Sequence, residues 1–206
     1  MSLAEKIPYQ NKLISNPYKK WSDIDANLPN SEITIYGPPS SSGTRDAFVE
    51  LVMQEPCENM AEFISAYPDA KIRQKKCQII RSDGKFIEAG ENDNLILQKL
   101  KNDDKALGIF GFSFLEENKN SIKAATVNGV EPTFETITSY KYSVSRPLFI
   151  YFKQEHFELI PQIKNFLRAI ISKDVIGNDG YLVQKGLIPL TDSELKKVRN
   201  EVLQKL

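Results

Sequence analysis

The chain has 206 residues, with 27 Lys and Arg against 27 Asp and Glu. It is long enough for one or two domains with a sizeable core, and its charge balance points away from nucleic acid and membrane surfaces. No apolar run approaches the roughly 20 residues of a membrane span, and Met1-Ser-Leu3 leads into polar sequence rather than a signal peptide.

From the N-terminus, residues 4–28 are rich in Asn, Lys, Pro and Tyr, with weak periodicity. Trp21-Ser-Asp-Ile24 reads as a short helical turn with Trp21 as a packing anchor. Residues 32–36 alternate polar and apolar between Pro29 and Gly37, the pattern of a strand. Beyond them Ala47, Phe48, Leu51 and Val52 recur at helical spacing and predict an amphipathic helix over residues 44–54. Between the two lie three serines, Gly43 and Thr44. Ser42 is placed to cap the helix, and Gly43 lets a bound group approach the backbone closely. The first amides of a helix lack internal partners, and its dipole favours negative charge there. The hydroxyls of Ser41, Ser42 and Thr44 add donors and Arg45 adds a cation, so the stretch can cradle an oxyanion. Taken alone, it reads as an ordinary capped helix start.

Met60, Phe63 and Ile64 predict a helix over residues 58–66, stopped by Pro68. A further helix is expected from residue 71 to about residue 77, with residues 78–81 extended. Asp83-Gly84 is a turn signal leading into residues 85–88. A helix follows from Leu95 through Leu100, capped by Asn92 or Asp93. Residues 106–110 read as a buried strand, and residues 122–127 as another before the Asn128-Gly129 turn. Residues 140–144 alternate, residues 148–152 form a continuous apolar strand, and Pro147 marks a bend between them. Residues 158–171 are the clearest helix, with Leu159, Ile163, Phe166, Leu167 and Ile170 in one stripe and Pro161 in the first turn. Asp179-Gly180 turns the chain. Thr191-Asp-Ser-Glu194 is a capping box for a last helix with Leu195, Val198 and Val202 inward. Strands alternating with helices argue for an α/β layer architecture.

Enzyme chemistry finds few handles. The solitary histidine, His156, sits in a charged stretch far from Ser42, and no pair of carboxylates stands out as acid and base. Ser42-Gly-Thr44 lacks the lysine of a Walker loop. Cys57 and Cys77 have no CxxC spacing and there is one histidine, so no zinc site is expected; no cofactor is expected either.

Four motifs in register say more than any one of them. Ser42-Gly-Thr-Arg-Asp46, Asp83-Gly-Lys-Phe-Ile-Glu-Ala-Gly-Glu-Asn-Asp-Asn94, Leu107-Gly-Ile-Phe-Gly111 and Ser145-Arg-Pro-Leu-Phe-Ile-Tyr151 together resemble the periplasmic phosphate-binding protein of bacterial phosphate ABC importers. The resemblance runs from about residue 18 to the C-terminus. It implies an α/β, periplasmic-binding-protein-like fold of type II, with one complete ligand-binding lobe over residues 29–145. Residues 1–28 would enter from the other lobe, and residues 146–206 would be the returning part of that lobe. The same comparison suggests a chain truncated at the N-terminus, with Met1-Ser-Leu3 as an expression scar, and uncovered apolar faces that could self-associate.

By the same resemblance the expected ligand is inorganic phosphate, the macromolecular partner is the importer's membrane permease, and the location is the periplasm. There the two cysteines would form a disulfide. The expected phosphate contacts are Ser41, Ser42, Gly43, Thr44, Arg45 and Asp46. Phosphate carries a proton near neutral pH and sulfate does not, so an acceptor-only carboxylate separates the two, and Asp46 is the first candidate. Better-known members carry Arg-x-Asp just before Ser-Gly-Thr, where this chain has Pro38-Pro-Ser40. Arg45 with Asp46 is the first substitute for that pair, Arg81 with Asp83 the second. Asn92 and Asn94, opening the next helix beside Glu91, are second-rank contacts. Receptors for sulfate, molybdate or tungstate are the nearer alternatives, and a phosphomonoester hydrolase the more distant one.

Overall fold

Three short parallel strands organise the first half of the chain in a computed structural model that describes residues 2–206. They are β3 (Ile35–Gly37), β4 (Phe86–Glu88) and β5 (Leu107–Gly108), in the order β4-β3-β5. An antiparallel hairpin, β1 (Lys6–Tyr9) and β2 (Lys12–Ser15), precedes them. Its turn holds Gln10 and Asn11 at φ 47° and 61°. No glycine advertises that left-handed turn, so the pattern of residues 4–28 did not predict it. Trp21–Asp23 form the expected helical turn. The chain divides into two compact units, one ending at Gly111 and the other running from Phe112 to Leu206.

The core of the first unit gathers Leu3, Ile33, Ile35 and Met53, with Trp21, Phe48, Phe86 and Ile109 packed around them. The helix expected over residues 44–54 continues further and changes pitch. It runs as α1 (Gly43–Phe48), a π-helical stretch (Val49–Gln54) and α2 (Glu55–Glu58). Pro56 lacks an amide hydrogen and its ring crowds the preceding turn, which the wider π turn relieves. Next come α3 (Ala61–Ala66), ending before Pro68, and α4 (Ala70–Cys77), then a bridge between Ile80 and Ala4. Cys57 and Cys77 are joined in a disulfide, with Cα atoms 5.7 Å apart, in a buried cluster with Phe63. Asn92 caps α5 (Asp93–Asn102), which packs Ile96 and Leu97 inward. Mixed α/β structure around a parallel sheet is the fold class the sequence led us to expect.

Helices make up the regular structure of the second unit. They are α6 (Phe112–Asn118), α7 (Phe134–Thr138), α8 (His156–Leu159), α9 (Gln162–Ile170), α10 (Lys173–Ile176) and α11 (Asp192–Leu203), with a 3-10 turn at Val183–Lys185 before the last. Three strand expectations fail here. Residues 122–127 yield one bridge, Val127 to Val130, around the Asn128-Gly129 turn. Over residues 140–144, Tyr140 sits in a turn at φ 56° and residues 142–144 are bends. Residues 148–152 join no sheet among the described residues, and Leu148 and Tyr151 are 79% and 88% exposed. An apolar run becomes a strand only when a neighbour satisfies its amides and carbonyls, and here none does. The helix expected over residues 158–171 is also broken. Pro161, without an amide hydrogen, ends α8 and begins α9. Leu167 is buried, whereas Leu159 and Phe166 are exposed. The Thr191–Glu194 capping box of α11 is formed as expected.

Candidate anion-binding site

Parallel pairing brings the C-terminal ends of β3, β4 and β5 to one edge of the sheet. From β3 the chain reaches β4 on one side, then crosses to β5 on the other. In open α/β sheets, ligands bind outside the strand ends at such a reversal. Both α1 and α5 begin just after strands that end at this edge.

Six expected contacts lie in the loop after β3 and the first turn of α1. Ser42 is the N-cap, in extended backbone, and its Oγ accepts from the Thr44 amide at 3.3 Å. Among the described residues the Thr44 hydroxyl has no protein partner. Ser41 Oγ donates to Glu91 Oε1, fifty residues on, which ties the start of α1 to the loop before α5. That hydroxyl has one hydrogen, so while it is given to Glu91 the oxygen can only accept from a ligand.

Arg45 is the most firmly held member. Its Nη1 donates to the Pro38 carbonyl at 3.1 Å and to Glu88 Oε1 at 3.2 Å. Its guanidinium lies over the Phe86 ring, 4.4 Å from the centroid. Phe86 fits there because Gly37 has no side chain; a Cβ on Gly37 would come within 2.6 Å of the ring. Asp46 is exposed and its carboxylate engages no group among the described residues. It is therefore not the partner of Arg45.

The second-rank candidates separate into two groups. Asn92 Oδ1 accepts from the amide and side chain of Asn94, both at 2.9 Å, so these two residues build the α5 cap beside the cradle. Next to them, burial raises the Asp93 carboxyl above its ordinary range. Arg81 and Asp83 are committed elsewhere, before the start of β4. Buried Arg81 donates from Nε to Asp83 Oδ1 at 2.8 Å, from Nη2 to Asp83 Oδ2, and to the carbonyls of Ser2 and Asn16. Its hydrogen bonds hold the Asp83 carboxyl below the ordinary carboxylate range. This pair fastens the N-terminal segment. Glu88 and Phe86 escaped the sequence reading, because only the register of β4 beside β3 places them at the cradle.

A family model for the PBP superfamily domain matches residues 4–174, most of the chain. The chain belongs to the PBP superfamily. Within it, a phosphate-binding protein PstS of Staphylococcus saprophyticus is 27% identical over 165 residues, covering 78% of this chain and 43% of that protein. Protein SphX of Synechococcus elongatus is 29% identical over 141 residues, covering 66% of this chain and 34% of SphX. The chain thus spans less than half the length of these relatives. A crystal structure described as a possible phosphate binding protein from Planctomyces limnophilus superposes with a TM-score of 0.60 at 26% identity, covering 92% of this chain and 60% of that one. PstS of Borrelia burgdorferi, at 18% identity and a TM-score of 0.53, shares the fold.

Proposed function

We propose that this chain binds inorganic phosphate at the start of α1 and serves as the receptor of an ABC-type phosphate importer. The observation that carries the reading is the Ser42-capped helix start at the C-terminal edge of a parallel sheet, with a fixed arginine beside it. Relatives named for phosphate binding support it. Neutral donors from Ser42, Gly43 and Thr44 replace part of the anion's hydration shell, and Arg45 supplies planar charged donors. Asp46, unengaged and acceptor-only, takes the hydrogen that phosphate carries and sulfate lacks. The role is binding and delivery rather than turnover, in the periplasm and against the membrane permease. No helix among the described residues is long and apolar enough to cross a membrane. In this reading residues 29–145 form a ligand-binding lobe and residues 146–206 contribute to a second.

Calorimetry with phosphate, challenged in turn by sulfate, molybdate and tungstate, tests the proposal. Phosphate should bind and survive the challenge. Preferential binding of one of the other anions would reassign the ligand, and release of phosphate from a phosphomonoester would reassign the class.

A further inference from the structure

The grip on Arg45 carries an inference that rests on the phosphate reading and deepens it. We propose that Glu88 is the positioning residue for Arg45, holding one edge of its guanidinium and leaving the other for the oxyanion.

Backbone pairing puts Glu88 where it is needed. In the parallel register Glu88 stands opposite Gly37, and the Ala89 amide donates to the Gly37 carbonyl at 2.9 Å. Gly37 is the residue from which the cradle loop departs, so Glu88 reaches the loop from the neighbouring strand. Nη1 of Arg45 has two hydrogens, and the Pro38 carbonyl and Glu88 Oε1 use both. Pro38 is itself fully buried, which makes that carbonyl a fixed anchor. The flat face of the group rests on Phe86, the β4 residue two before Glu88. These restraints leave the Arg45 side chain 16% exposed, against 51% for Glu88. Nε and Nη2 engage no group among the described residues. Together they form the planar fork that meets two oxygens of a phosphate side by side. Glu88 also offsets the positive charge of Arg45, so the site selects by the placement of its hydrogen bonds more than by net charge.

The test combines phosphate calorimetry with the NMR signal of the Arg45 side-chain Nε–H, assigned by its disappearance in Arg45→Ala. Glu88→Ala should weaken phosphate binding roughly tenfold, the scale of one charge-assisted hydrogen bond. It should have no such effect when Arg45 is already alanine. Glu88→Gln keeps an acceptor oxygen and should recover most of the loss. The Nε–H signal should broaden or move toward the position of a free arginine in Glu88→Ala and return in Glu88→Gln. An unchanged signal in Glu88→Ala, with the amide spectrum showing an intact fold, overturns the proposal. So does a loss of affinity that persists undiminished without Arg45. If the unaltered protein binds no phosphate, the functional reading falls, and the Nε–H signal alone still decides the role of Glu88.

Discussion

Ser42 and Thr44 divide the work of the cradle at the scale of single residues. The Ser42 oxygen accepts from the Thr44 amide and fixes where the helix begins, whereas the Thr44 hydroxyl, without a protein partner among the described residues, is a phosphate donor in the proposed function. Thr44→Val keeps the shape and removes that donor. It should weaken phosphate binding by roughly tenfold or more, since a hydrogen bond to a charged group contributes about 1.5–3 kcal/mol. An unaltered dissociation constant, with circular dichroism unchanged, would make the residue merely part of the cap. Asp46→Asn bears on selectivity. It should narrow the preference for phosphate over sulfate more than it lowers phosphate affinity, because it removes repulsion toward the unprotonated anion. If discrimination survives, another carboxylate at this edge, such as Glu91, holds the role. Much of this was legible in the sequence because capping is local: Ser42 and Thr191 cap the helices expected of them, and of Asn92 and Asp93 it is Asn92 that caps α5. Glu88 was not legible, because its place depends on pairing with a strand fifty residues away.

Among the elements, the N-terminal segment and the α2–α4 pair are each held by one specific device. Arg81 joins Asp83 to the carbonyls of Ser2 and Asn16. Its hydrogen bonds lower the Asp83 carboxyl, so the pair stabilises the fold above the ordinary Asp value of about 4. That contribution is lost as pH falls through the depressed value. Asp93 acts with the opposite sign, since its raised carboxyl favours the fold more as it becomes protonated. Asp83→Asn should therefore flatten the acid limb of a stability-versus-pH curve, and an unchanged limb would show that the ion pair contributes nothing. The Cys57–Cys77 bridge spans a separation of 20 residues. A loop of that length stabilises by about 3 kcal/mol in the chain-entropy model. Denaturant unfolding with and without reductant should differ by that order, and two free thiols in unreduced, denatured protein would remove the bridge from the account. Apolar patterning served helices better than strands here. The run at residues 148–152 has the composition of a buried strand, but composition cannot supply a hydrogen-bonding neighbour.

For the whole molecule the exposed apolar residues of the second unit set the expectation. Leu148, Phe149, Ile150 and Tyr151 lie open in succession, with Leu159 and Phe166 also exposed. Contiguous apolar surface rarely persists on a monomer. Light scattering should find concentration-dependent association that weakens in a Phe149→Ser, Tyr151→Ser double variant. A monodisperse monomer at high concentration would contradict this. The central claim is narrower: phosphate is held at the start of α1. The most direct measurement follows the backbone amide signals of the protein while phosphate, and separately sulfate, is added. The account predicts saturable shifts centred on Ser42, Gly43, Thr44 and Arg45 with phosphate, and far weaker ones with sulfate. Saturable shifts confined to other residues, or none at these four, would contradict it.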